Sequence, residues 1–458
     1  MSTPVEIRGR PFNRRELNRE VRRNHRRIRI EYAGCGLWWG QRDKHRVAGI
    51  SGPMIRMKAA TIGTWLSKCS PAFRLMMATS WLAPESCRPL QDGSIRAACA
   101  EGLDWDEYLR LVERHRTPAL SWAALKRVPG IAIPEETSQN LKRRSDACRL
   151  RAAVHLQLLR GLLKALNTAE IPALPWKGPL LSLELYGDAG MRESKDLDLL
   201  VAVADIATAS RCLKQIGWHP RRDDSYLTPK MSEFLTRHEH HVEFFHVTHH
   251  CVVELHWRTL WESSDSHSRR SAASIWSRWQ GCSLQTMNAV DLTIDLCEHG
   301  CGHAWFRAKW LGDIARIVAA GHVVVEEVLE RARESGQERS FLQCLRLLQD
   351  AYGLPVPDSV EPEVLRLDPF VVQRTIQKLT DPSEPRLEFS VKGFCDRLLN
   401  ASYVRRLWPR KSRWAIFVEV AFCSADFELI RLPDRLFWLY IPLRPFLWVW
   451  RCTMSKAR

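Results

Sequence analysis

The chain has 458 residues, of which 45% are hydrophobic and 26% charged, and its formal net charge is +16. This composition excludes a fibrous or low-complexity chain and is ordinary for a globular protein of two or three domains. No apolar run predicts a transmembrane segment, since the nearest one, 436–450, is interrupted by two prolines and an arginine. The fourteen cysteines show no short paired spacing and the N-terminus lacks a signal-peptide pattern, so we expect a cytoplasmic protein without a disulfide scaffold.

The positive charge is concentrated in the first 60 residues, which hold fifteen Lys and Arg against five Asp and Glu. Such a tail could bind RNA or an anionic membrane surface, so nucleic-acid contact is expected only through residues 8–29. Phe12 is the single aromatic residue there, which disfavours base stacking. We therefore expect residues 1–75 to be a basic, disordered extension, and whether they belong to the native protein stays open.

Helical patterns dominate the next part of the chain, 76–170. Asp104 is a predicted helix N-cap, Pro118 begins a further helix, and a longer helical stretch includes 156–166. This part is expected to form an N-terminal helical region.

Two carboxylates, Asp196 and Asp198, stand at the head of an apolar run. Leu197, Leu199 and Val201 alternate with them, which predicts a strand with both carboxylates on the same face. Adjacent carboxylates repel each other, so the pair makes chemical sense when a divalent cation lies between them. Oxygen ligands of this kind favour Mg²⁺ or Mn²⁺, which often bind together with substrate phosphates.

The order of motifs before this strand strengthens the metal interpretation. Lys177 and Gly178 precede a predicted helix over 179–186, followed by Arg192 and then the acidic strand. A lysine–glycine turn at a helix start can offer backbone N–H groups and a cation to phosphates.

A later β-rich run, 251–257, places Val252, Glu254 and His256 on one face. A strand is also predicted just before it, with His241 and Glu243 on one face. The histidines of 238–241 and 249–250 are interpreted mainly as an exposed hairpin, although one of them could face a cleft.

The segment 291–317 shows helical spacing that aligns His299 and His303 with Trp310. A zinc site including Cys297 and Cys301 is disfavoured, because alternate residues of one helix cannot converge on an ion. We expect the two histidines to be hydrogen-bonded groups beside a cleft, in possible contact with substrate.

Together these motifs resemble the polymerase-beta-like nucleotidyltransferase superfamily and, more narrowly, an uncharacterised bacterial nucleotidyltransferase family. The resemblance covers about residues 76–451. Its motifs are Lys-Gly, Tyr, Arg and Asp-x-Asp-Leu-Leu-Val, then Glu-Leu-His-Trp and the histidine–tryptophan helix. The phosphate turn departs from the wider superfamily, which usually has Gly-Ser or Gly-Gly where this chain has Lys177-Gly178-Pro179.

The resemblance implies an α+β fold with a small mixed β-sheet nucleotidyltransferase core and large flanking helical regions. The expected divisions are 1–75, the N-terminal helices of 76–170, the core of 171–262, a helical region of 263–357, and a mainly helical C-terminal region of 358–458. It also implies transfer of a nucleoside monophosphate from a nucleoside triphosphate to an unidentified acceptor hydroxyl.

The same resemblance implies the roles of individual residues. Asp196, Asp198 and Glu254 would be the catalytic, metal-binding carboxylates for Mg²⁺ or Mn²⁺, with Glu254 either the third ligand or the base. The residues implied to bind the nucleotide are Lys177, Gly178 and Arg192, and those that could contact substrate are His256, His299 and His303.

Three alternatives stay open. The chain could be a catalytically inactive nucleotide-binding scaffold in surface-polysaccharide biosynthesis, or a nucleic-acid-binding protein acting through its basic tail. It could also be a phosphotransferase that uses the same metal site.

Overall fold

A computed structural model describes residues 65–222, 227–258, 275–383, 391–408, 422 and 424–456. Residues 1–64, which include the arginine-rich run that could contact RNA and most of the expected disordered extension, lie outside the described residues. Among the helices that are described, none combines the length and apolar character needed to cross a membrane.

Five helices form the N-terminal region: α1 (Pro71–Thr79), α2 (Arg88–Cys99), α3 (Trp105–His115), α4 (Pro118–Arg127) and α5 (Glu135–Thr168). The predicted caps explain two of these starts. The Asp104 side chain accepts hydrogen bonds from two backbone N–H groups of the first turn of α3, and Pro118 is the first residue of α4. The expected boundary between residues 75 and 76 falls inside α1, whose Phe73 and Leu75 are buried in the core.

A five-stranded sheet follows. Its strands are β1 (Leu174–Pro175), β2 (Asp196–Leu200), β3 (Trp218–Pro220), β4 (His241–His246) and β5 (Cys251–His256), in the spatial order β1-β2-β5-β4-β3. β2 and β5 are parallel, whereas every other neighbouring pair is antiparallel. The α+β class with a small mixed sheet is therefore confirmed.

Three helices connect these strands: α6 (Gly178–Tyr186), α7 (Ile206–Gln215) and α8 (Pro229–His238). A second, two-stranded sheet contains β6 (Ile275–Trp279) and β7 (Cys282–Thr286). It joins the first sheet at β1, where the backbone N–H of Gln285 donates to the carbonyl of Ala173. Alternate residues of β2 and β5, among them Leu199 and Val253, are fully buried, so the opposite face of these strands is left for polar groups.

Helices complete the chain. They are α9 (Ala289–Gly302), α10 (Ala308–Ala319), α11 (Val325–Ser335), α12 (Glu338–Tyr352), α13 (Glu361–Leu365), α14 (Pro369–Thr380), α15 (Val391–Leu407), α16 (Ser424–Leu429) and α17 (Tyr440–Lys456). One hydrophobic core extends from Leu66 to Trp408, so the sheet and its flanking helices share a single apolar interior. A separate small cluster joins α8 to the C-terminal helices through Met231, Phe427 and Tyr440.

The prediction of one continuous helical stripe over 291–317 is wrong. α9 ends at Gly302, and α10 begins at Ala308 after a turn in which Ala304 and Trp305 adopt positive φ angles of 47° and 55°. Gly300 permits this turn, because a Cβ atom there would lie only 2.4 Å from the Trp305 ring. The break changes the direction of the chain while keeping the histidines of α9 and Trp310 close together.

Candidate active site

The polar face of the sheet opens into a cleft of about 360 Å³. Its walls are formed by residues within 176–198, 240–256 and 295–310, together with Arg116 from the end of α3. Every residue that the sequence suggested for the site lines this cleft except Gly178, which lies at its edge. The cleft therefore brings together side chains that are far apart along the chain.

Strand register determines how the three carboxylates meet. Asp198 and Glu254 are paired residues of the parallel strands β2 and β5, and Asp196 precedes Asp198 by two residues on the same face. Oxygen atoms of Asp198 and Glu254 and a nitrogen of His256 lie within 4.8 Å of one another. All three carboxylates thus share one wall of the cleft.

His256 partly neutralises this acidic wall. Its Nε2 lies 3.1 Å from Glu254 Oε2 and 3.4 Å from Asp198 Oδ1, and the ring is almost fully buried. Although burial opposes the change, the two carboxylates raise the pKa of His256 above its ordinary value. A protonated His256 is accordingly favoured beside two ionised acids.

The pKa values of the two aspartates of β2 are shifted in opposite directions. Burial, followed by the charges of Asp198 and Glu254, raises the pKa of Asp196. Burial would also raise the pKa of Asp198, but Lys177 and His256 outweigh it and hold that pKa below its usual range. Asp198 is therefore the aspartate whose charged form is favoured more strongly.

Lys177 and Gly178 form the turn into α6, and Lys177 lines the cleft. Gly178 has a φ angle of +64°, which favours glycine, and Pro179 occupies the first turn of the helix. Lys177 Nζ lies 3.2 Å from Nδ1 of His299 and 4.9 Å from the centre of the Trp176 ring. The turn packs against the start of the acidic strand, because a Cβ atom on Gly178 would lie 3.6 Å from both the carbonyl oxygen of Asp196 and Ser194 Oγ.

Arg192 lines the cleft and also forms a buried ion pair. Its Nε donates to Asp313 Oδ2 of α10 at 2.7 Å, and its backbone N–H donates to Ser182 Oγ of α6. Both side chains of the ion pair are at most 4% exposed. Arg192 is thereby fixed between α6, β2 and α10.

Lys309 is a second buried cation that sequence reasoning missed. It lines the cleft at the start of α10, and its Nζ donates to the carbonyl of Glu193 at 2.8 Å. Burial, with the nearby charges of Arg192 and Arg116, lowers its pKa to about 7. The available signal was a lysine near the start of a mainly apolar helix, adjacent to Trp310 in the motif.

The far wall of the cleft comes from α9 and the start of α10. The rings of His299 and His303 are 4.8 Å apart, and Trp310 lies 5.0 Å from the first and stacks 5.2 Å from the second. Burial, followed by Lys177, lowers the pKa of both histidines, that of His303 to about 4. These groups are therefore neutral at physiological pH.

The zinc interpretation of this helix has no support in the structure. Cys301 Sγ donates to Gln343 Oε1 at 3.0 Å in the buried core, and neither Cys297 nor Cys301 lines the cleft. Among the described residues, every candidate metal-binding group consists of histidines and carboxylates from β2, β4 and β5 or from His240, which immediately precedes β4.

The structure corrects part of the interpretation of the histidines of 238–241 and 249–250 as an exposed hairpin. His249 and His250 are exposed on the β4–β5 turn, as the hairpin interpretation predicts. His240 and His241 instead line the cleft, because β4 pairs with β5 so that His241 lies opposite His256. Sequence alternation identified the strand face that carries His241, but it did not show that His241 would lie opposite His256 of β5.

A family model described as "uncharacterised nucleotidyltransferase" matches residues 101–353, which include the sheet, the cleft and α9–α12. The chain belongs to this family. No curated protein and no solved structure matches the chain.

Proposed function

We propose that the protein is a metal-dependent nucleotidyltransferase that moves a nucleoside monophosphate from a nucleoside triphosphate to an acceptor hydroxyl, within the polymerase-beta-like superfamily. The observation that carries this proposal is the in-register pairing of Asp198 with Glu254, which puts three carboxylates on one wall of a cleft that Lys177 also lines. Membership of the nucleotidyltransferase family supports it independently.

The acidic wall fits a divalent cation. Three carboxylates and one imidazole converge in a largely buried cleft, an arrangement that is costly without positive charge. Asp196, Asp198 and Glu254 would hold Mg²⁺ or Mn²⁺, and the ion would offset charge on the reacting phosphate oxygens.

The cationic groups of the cleft are suited to binding phosphates. Lys177 supplies a cation at the start of α6, and the Gly178 amide belongs to the unsatisfied N–H groups of that helix end. Lys309 adds a second amine close to Asp196. Arg192 contributes positive potential while its Nε is committed to Asp313, so it acts partly by fixing the acidic strand.

Glu254 and His256 are the groups best placed to manage a proton. Glu254 would accept the proton of an acceptor hydroxyl, and the protonated His256, 3.1 Å away, would orient its carboxylate. Whether Glu254 serves as this base or as the third metal ligand depends on where the acceptor enters. His299 and His303, neutral and beside Trp310, are the proposed contacts for substrate.

The experiment uses nucleoside triphosphates labelled in either the α- or the γ-phosphate, with Mg²⁺ and a cell lysate as the source of acceptors. Nucleotidyl transfer puts the α-label on the acceptor and releases pyrophosphate. Asp196→Asn and Asp198→Asn should each abolish the transfer. Asp205→Asn is the matched control, because Asp205 lies just after β2 and outside the cleft.

Two outcomes would contradict the proposal. Transfer of the γ-label with release of nucleoside diphosphate would make the protein a phosphotransferase. Equal Mg²⁺-dependent nucleotide binding by the wild type and by Asp196→Asn, measured by calorimetry, would remove the carboxylates from the site.

A further inference from the structure

Three imidazoles cluster on the β4–β5 side of the cleft. His241 and His256 are directly opposite each other in the antiparallel pair, and His240 immediately precedes β4. One nitrogen from each ring lies within 4.8 Å of the other two. The ring centres are 4.4 Å apart for His240 and His241, 5.0 Å for His241 and His256, and 5.7 Å for His240 and His256.

Two of these rings carry a buried nitrogen without a protein partner. Nδ1 of His241 and Nδ1 of His256 are inaccessible to solvent, and neither makes a hydrogen bond among the described residues. Buried polar atoms are normally satisfied, since leaving one unpaired costs on the order of 1–3 kcal/mol. The His256 ring also packs edge-to-face with the Trp176 ring, and the two ring centres are 4.8 Å apart. The cluster thus contains two buried nitrogen atoms that lack a partner among the described residues.

We propose that His240, His241 and His256 bind a transition-metal ion such as Zn²⁺ or Co²⁺, at a site beside the one proposed for Mg²⁺ at Asp196 and Asp198. Imidazole nitrogen is a preferred ligand of these ions, whereas Mg²⁺ takes oxygen.

The geometry requires only small side-chain movements. Two nitrogens bound at roughly 2.0–2.1 Å in a tetrahedral site are about 3.4 Å apart, so rotations that move the donors by about 1 Å would complete the site. A water molecule would supply the fourth ligand, as at other sites built from three histidines, so Glu254 stays with the site proposed for Mg²⁺. Three histidines and one oxygen ligand form a donor set typical of zinc.

The test titrates the full-length protein with Co²⁺ in the absence of nucleotide and follows visible absorption. The wild type should bind Co²⁺ with the intense d–d bands of tetrahedral coordination, and the bands should persist in millimolar Mg²⁺. His240→Ala and His241→Ala should each weaken binding by at least about tenfold, since even loss of an outer-shell partner costs that much. His219→Ala is the matched control, because His219 is an exposed histidine on β3 of the same sheet.

The two proposals can fail separately. Asp196→Asn should lose Mg²⁺-dependent nucleotide binding yet keep the Co²⁺ bands, because Asp196 belongs to none of the histidine-containing donor groups. Absence of Co²⁺ binding, equal binding by the His240 and His241 variants, or displacement by Mg²⁺ would overturn the histidine site. If circular dichroism shows that His241→Ala does not fold, His241→Gln replaces it, and the same outcomes apply.

Discussion

Replacing Asp313 with asparagine should destabilise the protein strongly, because it leaves the guanidinium of Arg192 charged in the core. The two groups form a 2.7 Å ion pair in which Arg192 is 4% exposed and Asp313 is fully buried. At this distance the Coulomb attraction is about 6 kcal/mol for an effective dielectric constant of about 20. Desolvation of both ions offsets part of that attraction, and breaking such a pair typically costs about 3–5 kcal/mol.

The assay is urea unfolding followed by circular dichroism, with the free energy of unfolding compared between variants. Asp313→Asn should lower it by about 3–5 kcal/mol. Asp368→Asn is the matched control, because Asp368 pairs with Arg406 at the same 2.7 Å distance but with both side chains more than 40% exposed. That variant should lose less than about 1 kcal/mol.

A double replacement separates the charge effect from packing. Arg192→Met with Asp313→Leu removes both charges, so it should recover much of the stability lost by Asp313→Asn alone. A loss for Asp313→Asn no larger than that for Asp368→Asn would refute the reasoning, since the pair would then be solvated in spite of its burial.

The remaining predictions concern the acidic wall and the response to acid. Glu254→Gln should bind Mg²⁺–nucleotide better than Asp196→Asn does but eliminate transfer, because it removes a proposed base or second ligand; calorimetry and labelled transfer measure the two properties, and full transfer by Glu254→Gln would exclude both roles. Burial, with Arg151 nearby, lowers the pKa of His155 from 6.5 to about 4, so the unfolded chain binds more protons between these pH values and stability falls as the pH drops through them. For this residue the free energy of unfolding falls by about 2 kcal/mol between pH 7 and pH 5. Urea unfolding at the two pH values should therefore show a smaller fall for His155→Leu than for the wild type. Identical falls would contradict the assignment.

The elements that the sequence predicted best are those whose signals are local. Alternation of leucines with Asp196 and Asp198 identified β2, and Asp104 and Pro118 marked helix starts at the right residues, because caps and strand faces depend on near neighbours.

Features that depend on pairing between distant segments could not be predicted in the same way. Strand order placed β4 beside β5 and so brought His240 and His241 into the cleft, although the local pattern equally fitted an exposed hairpin. The break before α10 was hidden because its positive φ angles occur at Ala304 and Trp305, which carry no turn signature. Lys309 was overlooked for a related reason, since its environment is created by Glu193 and Arg192 from another part of the chain.

The parallel pairing of β2 and β5 also determines when the cleft can exist during synthesis. Asp196 and Asp198 leave the ribosome early, but the partner strand follows only after α7, β3, α8 and β4. Parallel strands need such a long connection, and contacts between distant residues form after local ones. Lys309 and Trp310 emerge later still. A growing chain therefore carries its two aspartates for more than one hundred residues, by their numbering, before the last wall of the cleft arrives to cover them.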